Sequence, residues 1–196
     1  IVNHVGVYDE NIVRQAILRE IDRGGQVFFV HNRVQTIESI TYKLKKLVPE
    51  ASFVIGHGQM NEHELEEVMA AFARGEHDVL VSTTIIENGM DIPSANTIII
   101  DRADMFGLSQ LYQLRGRVGR SANQAYVYFF HLRDQILTAD ARARLDTINE
   151  YTELGSGMSI AVRDLEIRGM GDLLGVSHSG YIDAVVFHFY LLLRHI

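Results

Sequence analysis

Short apolar runs of strand length alternate with segments of helical periodicity along most of the chain, and this alternation restricts the fold more than any other feature. Residues 27–30 (Val-Phe-Phe-Val), 53–55 (Phe-Val-Ile) and 79–81 (Val-Leu-Val) are uninterrupted apolar runs, as strands covered on both faces require. Residues 97–100 and 125–130 read as two more strands. Between the runs, Val13, Ala16, Ile17 and Ile21 repeat at helical spacing over 10–22, and Ile37, Ile40, Leu44 and Leu47 do so over 36–47. Gly24 and Gly25 end the first of these helices. Asn61, with Glu64 three residues on, reads as a capping box for a helix whose apolar face is Leu65, Val68, Met69 and Phe72. A further helix is expected over 108–115. Strands joined by crossover helices make a parallel sheet covered on both faces, so an α/β fold is predicted. In such sheets function gathers at the carboxyl ends of the strands. The loops at 31–33, 56–60 and 82–84, which fall there, are polar or glycine-rich.

The alternation stops near residue 132, which divides the chain into 1–133 and 134–196. In the second part Thr138 opens a helix running to about residue 151, with Leu145 and Ile148 inward and Arg142 and Arg144 outside. A glycine-punctuated turn at 155–157, an extended segment over 158–167, a second glycine-rich stretch at 168–171 and an apolar helix over 185–193 are expected to follow.

Composition removes several functional classes. The chain has no cysteine, which excludes disulfides and thiolate zinc sites. His63-Glu64 lacks the second histidine of a zinc-protease helix, so no metal site is expected there. No apolar run is long enough to cross a membrane, and nothing resembles a signal peptide. A net charge of −7 argues against a generic nucleic-acid binder. The distribution matters more: acid collects at Glu62, Glu64, Glu66 and Glu67, and arginines cluster at 115, 117 and 120. The first residue is Ile1 rather than methionine and the last stretch is apolar, so a piece excised from a longer chain is expected.

Residues 113–120 (Gln-Leu-Arg-Gly-Arg-Val-Gly-Arg) hold three arginines and two glycines. Permanently charged guanidiniums at this spacing are costly to desolvate unpaired and have no use in an apolar core. Glycines let the backbone approach another surface, and arginines offer forked donors suited to phosphate oxygens. The segment reads as an arginine finger of a nucleotide-driven motor; the alternative is a solvated, salt-bridged helix end. The three lysines, Lys43, Lys45 and Lys46, do not follow a glycine, so the chain cannot form a Walker A loop.

Taken together, these segments resemble a known family. Residues 83–93 (Thr-Thr-Ile-Ile-Glu-Asn-Gly-Met-Asp-Ile-Pro) and 113–120 resemble motifs V and VI of superfamily 2 helicases. Residues 28–33 (Phe-Phe-Val-His-Asn-Arg) and 56–60 (Gly-His-Gly-Gln-Met) resemble motifs IV and IVa. Residues 102–113 leading into motif VI narrow the resemblance to the RecG and Mfd branch. Residues 155–180, with Asp-Leu-Glu-Ile-Arg-Gly-Met-Gly-Asp-Leu-Leu-Gly at 164–175, resemble the translocation (TRG) motif of that branch. The segments at 153–157 and 99–104 look closer to its Mfd side.

The resemblance implies a RecA-like helicase C-terminal lobe over 1–133 and a truncated translocation module over 134–196. Two such lobes close over ATP with Mg²⁺, bound mainly by an amino-terminal lobe that this chain lacks. Arg117 and Arg120 would then be arginine fingers at the β/γ-phosphates, Gln113 would lie near the γ-phosphate or the attacking water, Gly89 would permit close backbone approach, and Asp91 would accept from the ribose hydroxyls. Arg115 would make either a structural ion pair or a phosphate contact. Asn32, Arg33, His57, Gly58 and Thr83 match positions that hold the nucleic-acid backbone, and such groups grip phosphates without reading bases. Arg144 and Arg168 match the arginines that connect lobe closure to movement on DNA. His178 stands where the family usually has glutamine; it is shorter and titratable. Asn88 replaces a more usual threonine.

The activity the resemblance implies is ATP-driven translocation on double-stranded DNA, displacing stalled RNA polymerase and recruiting excision-repair proteins in a bacterial cytoplasm. A RecG-like remodeller of replication forks is the alternative, and a non-catalytic module that only docks DNA or a partner is a third reading.

Overall fold

The strand over Gln26–Val30 (β2) is buried at every position, with Val27 and Phe29 facing one helical layer and Phe28 and Val30 the other. That two-sided burial is why an unbroken apolar run was needed there. The computed structural model describes residues 1–83, 92–151 and 156–174. Among these, β1 (Val2–Val7), α1 (Glu10–Asp22), β2, α2 (Val34–Leu47), β3 (Phe53–Gly56), α3 (Glu62–Ala73) and β4 (Val79–Ser82) come first. Then follow β5 (Ala95–Ile100), a 3-10 turn (Ala103–Met105), α4 (Leu108–Arg115), β6 (Tyr126–His131), α5 (Ala139–Glu150) and α6 (Gly157–Leu174).

The six strands form one sheet in the order β1-β6-β5-β2-β4-β3, with every adjacent pair parallel. The predicted α/β architecture is therefore the one observed. One core lies on the α1 and α2 side, with Val13, Ile17, Ile37, Leu44 and Ile99. The other lies on the α3 and α4 side and contains Phe72, Ile98, Ile100, Leu111 and Leu114. Leu145 and Ile148 of α5 and Ile160 and Ile167 of α6 belong to that second core. Each fully buried leucine or isoleucine contributes roughly 1.5–3 kcal/mol to holding these layers together.

The helix ends follow from local chemistry. Asp9 caps α1, its side chain accepting from Asn11 N at 2.8 Å and Ile12 N at 3.2 Å. Asn61 caps α3 by accepting from Glu64 N at 3.0 Å. Thr138 caps α5 by accepting from Ala141 N at 3.1 Å.

The structure adds one strand to those expected and corrects one segment. The chain opens with a strand, β1, that its sequence does not advertise: Asn3, His4 and Gly6 interrupt the apolar pattern. As an edge strand paired only with β6, β1 is half-buried and needs no continuous run. The segment over 158–167 is not extended but part of α6. Its buried positions, Ile160, Asp164 and Ile167, are spaced at helical intervals, and packing on α4 and α5 outweighs the cost of about 1 kcal/mol for each of the glycines at 169 and 171. The expected helix over 185–193 lies outside the described residues.

Candidate functional site

Because all strands run the same way, the sheet has a carboxyl rim and an amino rim, and the candidate residues divide between them. At the carboxyl rim β2, β4 and β3 are neighbours, which brings the loops after them side by side. Asn32 and Arg33 follow β2 and are both exposed; Arg33 begins α2 in an extended conformation without using its side chain as a cap. His57 and Gly58 follow β3. The His57 Nδ1 accepts from Gln59 N at 3.3 Å, and a Cβ on Gly58 would meet nothing within 4 Å, so the backbone here is open to a large approaching group. Thr83 follows β4 and is buried. The five expected backbone-gripping residues thus lie on three adjacent strand ends.

The loop between α4 and β6 lies at the opposite rim. The Ser121 hydroxyl donates to Asn96 Oδ1 at 2.8 Å, at the start of β5, and Val2 N donates to Ala125 O at 2.8 Å. The expectation that function would gather at the carboxyl ends therefore covers only part of the candidate set. Gly119 has φ 82°, a left-handed conformation that favours glycine and turns the chain between Arg117 and Arg120. The Val118 side chain is buried between them, which anchors the loop.

Gln113, Arg117 and Arg120 line one open concavity of about 270 Å³, together with Tyr112, Arg115 and Gly116. Arg120 Nε donates to Gly116 O at 3.2 Å. The concavity is smaller than the roughly 300–1,000 Å³ of a complete small-molecule site. Among the described residues its lining supplies guanidiniums and no carboxylate. Such donors suit phosphate oxygens.

Arg115 makes a structural contact, with backbone carbonyls as its partners. It is buried, and its Nη1 donates to Ile148 O at 3.2 Å and to Tyr151 O, the carbonyls at the end of α5. Its guanidinium carbon lies 5.2 Å from the Tyr112 ring centroid. Burial lowers its pKa, partly opposed by Tyr112. An arginine so placed is a structural clamp on a helix C-terminus, where a cation is favoured. Sequence alone did not single out Tyr112, whose hydroxyl packs against Gly157 at the start of α6: a Cβ there would lie 3.2 Å from it.

Arg144 does not point outward as expected. Its Nη2 donates to Asp104 O at 3.1 Å, tying α5 to the 3-10 turn after β5. Arg102 pairs with the same residue's carboxylate at 3.0 and 2.8 Å. Arg168 is exposed and pairs with Asp164 at 2.8 Å, one turn back on α6. The buried Asp164 also accepts from the Ser109 hydroxyl at 3.2 Å, linking α6 to the first turn of α4. Gly89, Asp91 and His178 lie outside the described residues, as does Asn88.

Residues 10–122 match the model of the helicase conserved C-terminal domain. The chain is 57% identical over 187 residues to the transcription-repair-coupling factor of Bacillus subtilis (strain 168), covering 95% of this chain and 16% of that protein. It is 54% identical over 182 residues to the transcription-repair-coupling factor of Staphylococcus haemolyticus, covering 93% of this chain and 16% of that protein. The chain thus spans less than a fifth of the length of these relatives. Among solved structures, RecG bound to a three-way DNA junction is similar with a TM-score of 0.72 and 35% identity, over 88% of this chain and 23% of that one. The C-terminal domain of the DEAD-box protein Dbp5 shares the fold, with a TM-score of 0.56 over 78% of this chain and 87% of that one, at 17% identity. With its motif order, its all-parallel sheet and an arginine-lined concavity beside α4, the chain belongs to the helicase conserved C-terminal domain family.

Proposed function

We propose that the chain is the second motor lobe of an ATP-dependent double-stranded DNA translocase that displaces stalled RNA polymerase and couples transcription to excision repair. The convergence of Gln113, Arg117 and Arg120 on one concavity carries this reading. Three permanently placed donor groups on one wall are half of a nucleotide site; the other half, with its P-loop lysine and its carboxylate for Mg²⁺, belongs to an amino-terminal lobe. ATP bound between the lobes supplies the phosphoryl group. Arg117 and Arg120 offer forked donors to the charge that spreads over the phosphoryl oxygens in the transition state, an effect of roughly 10³–10⁵ in rate in comparable systems. Gln113, exposed on the same helix end, orients the γ-phosphate or the attacking water. Gly89 and Asp91 contribute backbone approach and a ribose contact. Asn32, Arg33, His57, Gly58 and Thr83 hold the DNA backbone at the carboxyl rim. Arg144, Arg168 and His178 connect closure of the lobes to movement on the duplex.

The test is made in the intact two-lobed protein. Arg117→Ala and Arg120→Ala each lower DNA-stimulated ATP turnover by about 10³ while nucleotide and DNA still bind. Unchanged turnover would leave a docking module instead. The isolated chain hydrolyses ATP negligibly, since none of its lysines follows a glycine. The 35% identity to RecG favours fork remodelling as the second reading. ATP-dependent release of stalled polymerase, compared with regression of a model fork, separates the two.

A further inference from the structure

The exposed loop that carries Asn32 and Arg33 begins at His31, and His31 is the best-anchored side chain in it. Its Nδ1 lies 2.5 Å from Oδ2 of Asp101, a buried carboxylate at the end of β5. Its Nε2 lies 2.7 Å from the Thr36 hydroxyl in the first turn of α2. A carboxylate only accepts, so Nδ1 carries the proton and donates, and Nε2 pairs with the Thr36 hydroxyl. One imidazole is thereby held by two elements at once, and both of its nitrogens are used. The backbone repeats the tie: His31 N donates to Ser82 O at 2.8 Å, and Arg33 N donates to His31 O at 2.9 Å.

The neighbours leave Asp101 free for this task. Arg102, next in the chain, is engaged by Asp104 and by Gln135 Oε1 at 2.7 Å. The second carboxylate oxygen of Asp101 is buried without a hydrogen-bond partner among the described residues, beside a cavity of about 200 Å³ that His31, Asn32 and Arg33 also line. A buried carboxylate with one strong partner is a costly arrangement to keep unless that partner must be held in place.

We propose that Asp101 and His31 are positioning residues for the DNA grip: Asp101 locks the His31 ring, and the locked ring fixes the path of the loop that presents Asn32 and Arg33 to the phosphate backbone. The inference rests on the reading of the carboxyl rim as a DNA surface.

The 196-residue chain is titrated into a labelled short DNA duplex at low salt, and thermal melting is followed in parallel. Arg33→Ala weakens binding about tenfold, and Asp101→Ala and His31→Phe each weaken it about three- to tenfold, within the span of measured couplings between residues. The double variant Asp101→Ala/Arg33→Ala binds no more weakly than Arg33→Ala, because a misplaced loop without its arginine has nothing further to lose. If Asp101→Ala fails to fold, His31→Phe gives the same comparison. Wild-type affinity in both Asp101→Ala and His31→Phe, or losses that add in full to that of Arg33→Ala, overturns the positioning role while leaving the DNA surface in place. Unchanged binding in Arg33→Ala removes the DNA surface itself, and the positioning role with it.

Discussion

Arg115 of α4 donates to the backbone carbonyl of Tyr151, the residue that ends α5. Two positions further on stands Arg117, which lines the concavity beside α4. The same short stretch therefore faces that concavity on one side and closes the end of α5 on the other.

Replacing Arg115 with alanine removes donors from two α5 carbonyls and opens a cavity between the helices. The expected loss is about 2–4 kcal/mol of unfolding free energy, read from urea titration. Arg115→Lys recovers less than half of it, because a point charge cannot reproduce a planar fork of donors.

Gly25 and Glu20 form a second obligatory pair. The Glu20 carboxylate is fully buried, held by Arg23 at 2.5 and 3.0 Å and by the Thr97 hydroxyl at 2.5 Å. A Cβ on Gly25 would lie 1.9 Å from Glu20 Oε1, and the carboxylate, held by Arg23 and Thr97, cannot readily retreat. Gly25→Ala should cost about 1–3 kcal/mol in the same titration. If the cost is under about 0.5 kcal/mol, the size of ordinary surface changes, the carboxylate is not pinned.

The turn at Gly119 is strained for any side chain. Its φ of 82° penalises an L-residue, and a Cβ would lie 3.0 Å from the Ile1 side chain. Gly119→Ala is expected to lower stability by about 1–2 kcal/mol. Because the turn sets the path between Arg117 and Arg120, ATP turnover of the intact protein should fall by more than the loss of folded protein explains.

Acid should loosen the contact between α1 and the turn after α2. Arg14 donates to Glu50 through two nitrogens at 2.9 and 2.6 Å, and these bonds hold the Glu50 carboxyl down at about 2. A depressed carboxyl pKa contributes stability above the unfolded value near 4.5, and that contribution fades as pH falls from there towards 2. The pair is exposed, so the effect is small. Glu50→Gln should flatten the stability profile across this window without altering it at neutral pH by more than a surface substitution does.

Much of this fold was legible because its strands are covered on both faces. Val79, Leu80 and Val81, and likewise Ile98, Ile99 and Ile100, are buried on both faces of the sheet, and a continuous apolar run suits that. The end of α1 was legible for a different reason: Gly24 and Gly25 punctuate it locally. β1 was hidden because an edge strand tolerates Asn3 and His4. α6 was hidden because its glycines carry a loop signature that tertiary packing overrides. In the candidate site, the arginines announced themselves by type and spacing. Arg115 did not reveal its partners, and Asp101 stood out only within the 99–104 segment, because its significance lies in a histidine 70 residues away in the chain. Contacts of that kind are created by the order of strands in the sheet.

The division of the charged groups between two rims carries a further consequence. A six-residue strand such as β5 spans about 20 Å at roughly 3.3 Å per residue, while charges in physiological salt are screened within about 8 Å. Arg33 at one rim and Arg120 at the other are therefore electrically independent. Neutralising one leaves the electrostatic environment of the other unchanged, and their energetic effects should add. Communication between them has to be mechanical, carried by the movement of packed elements.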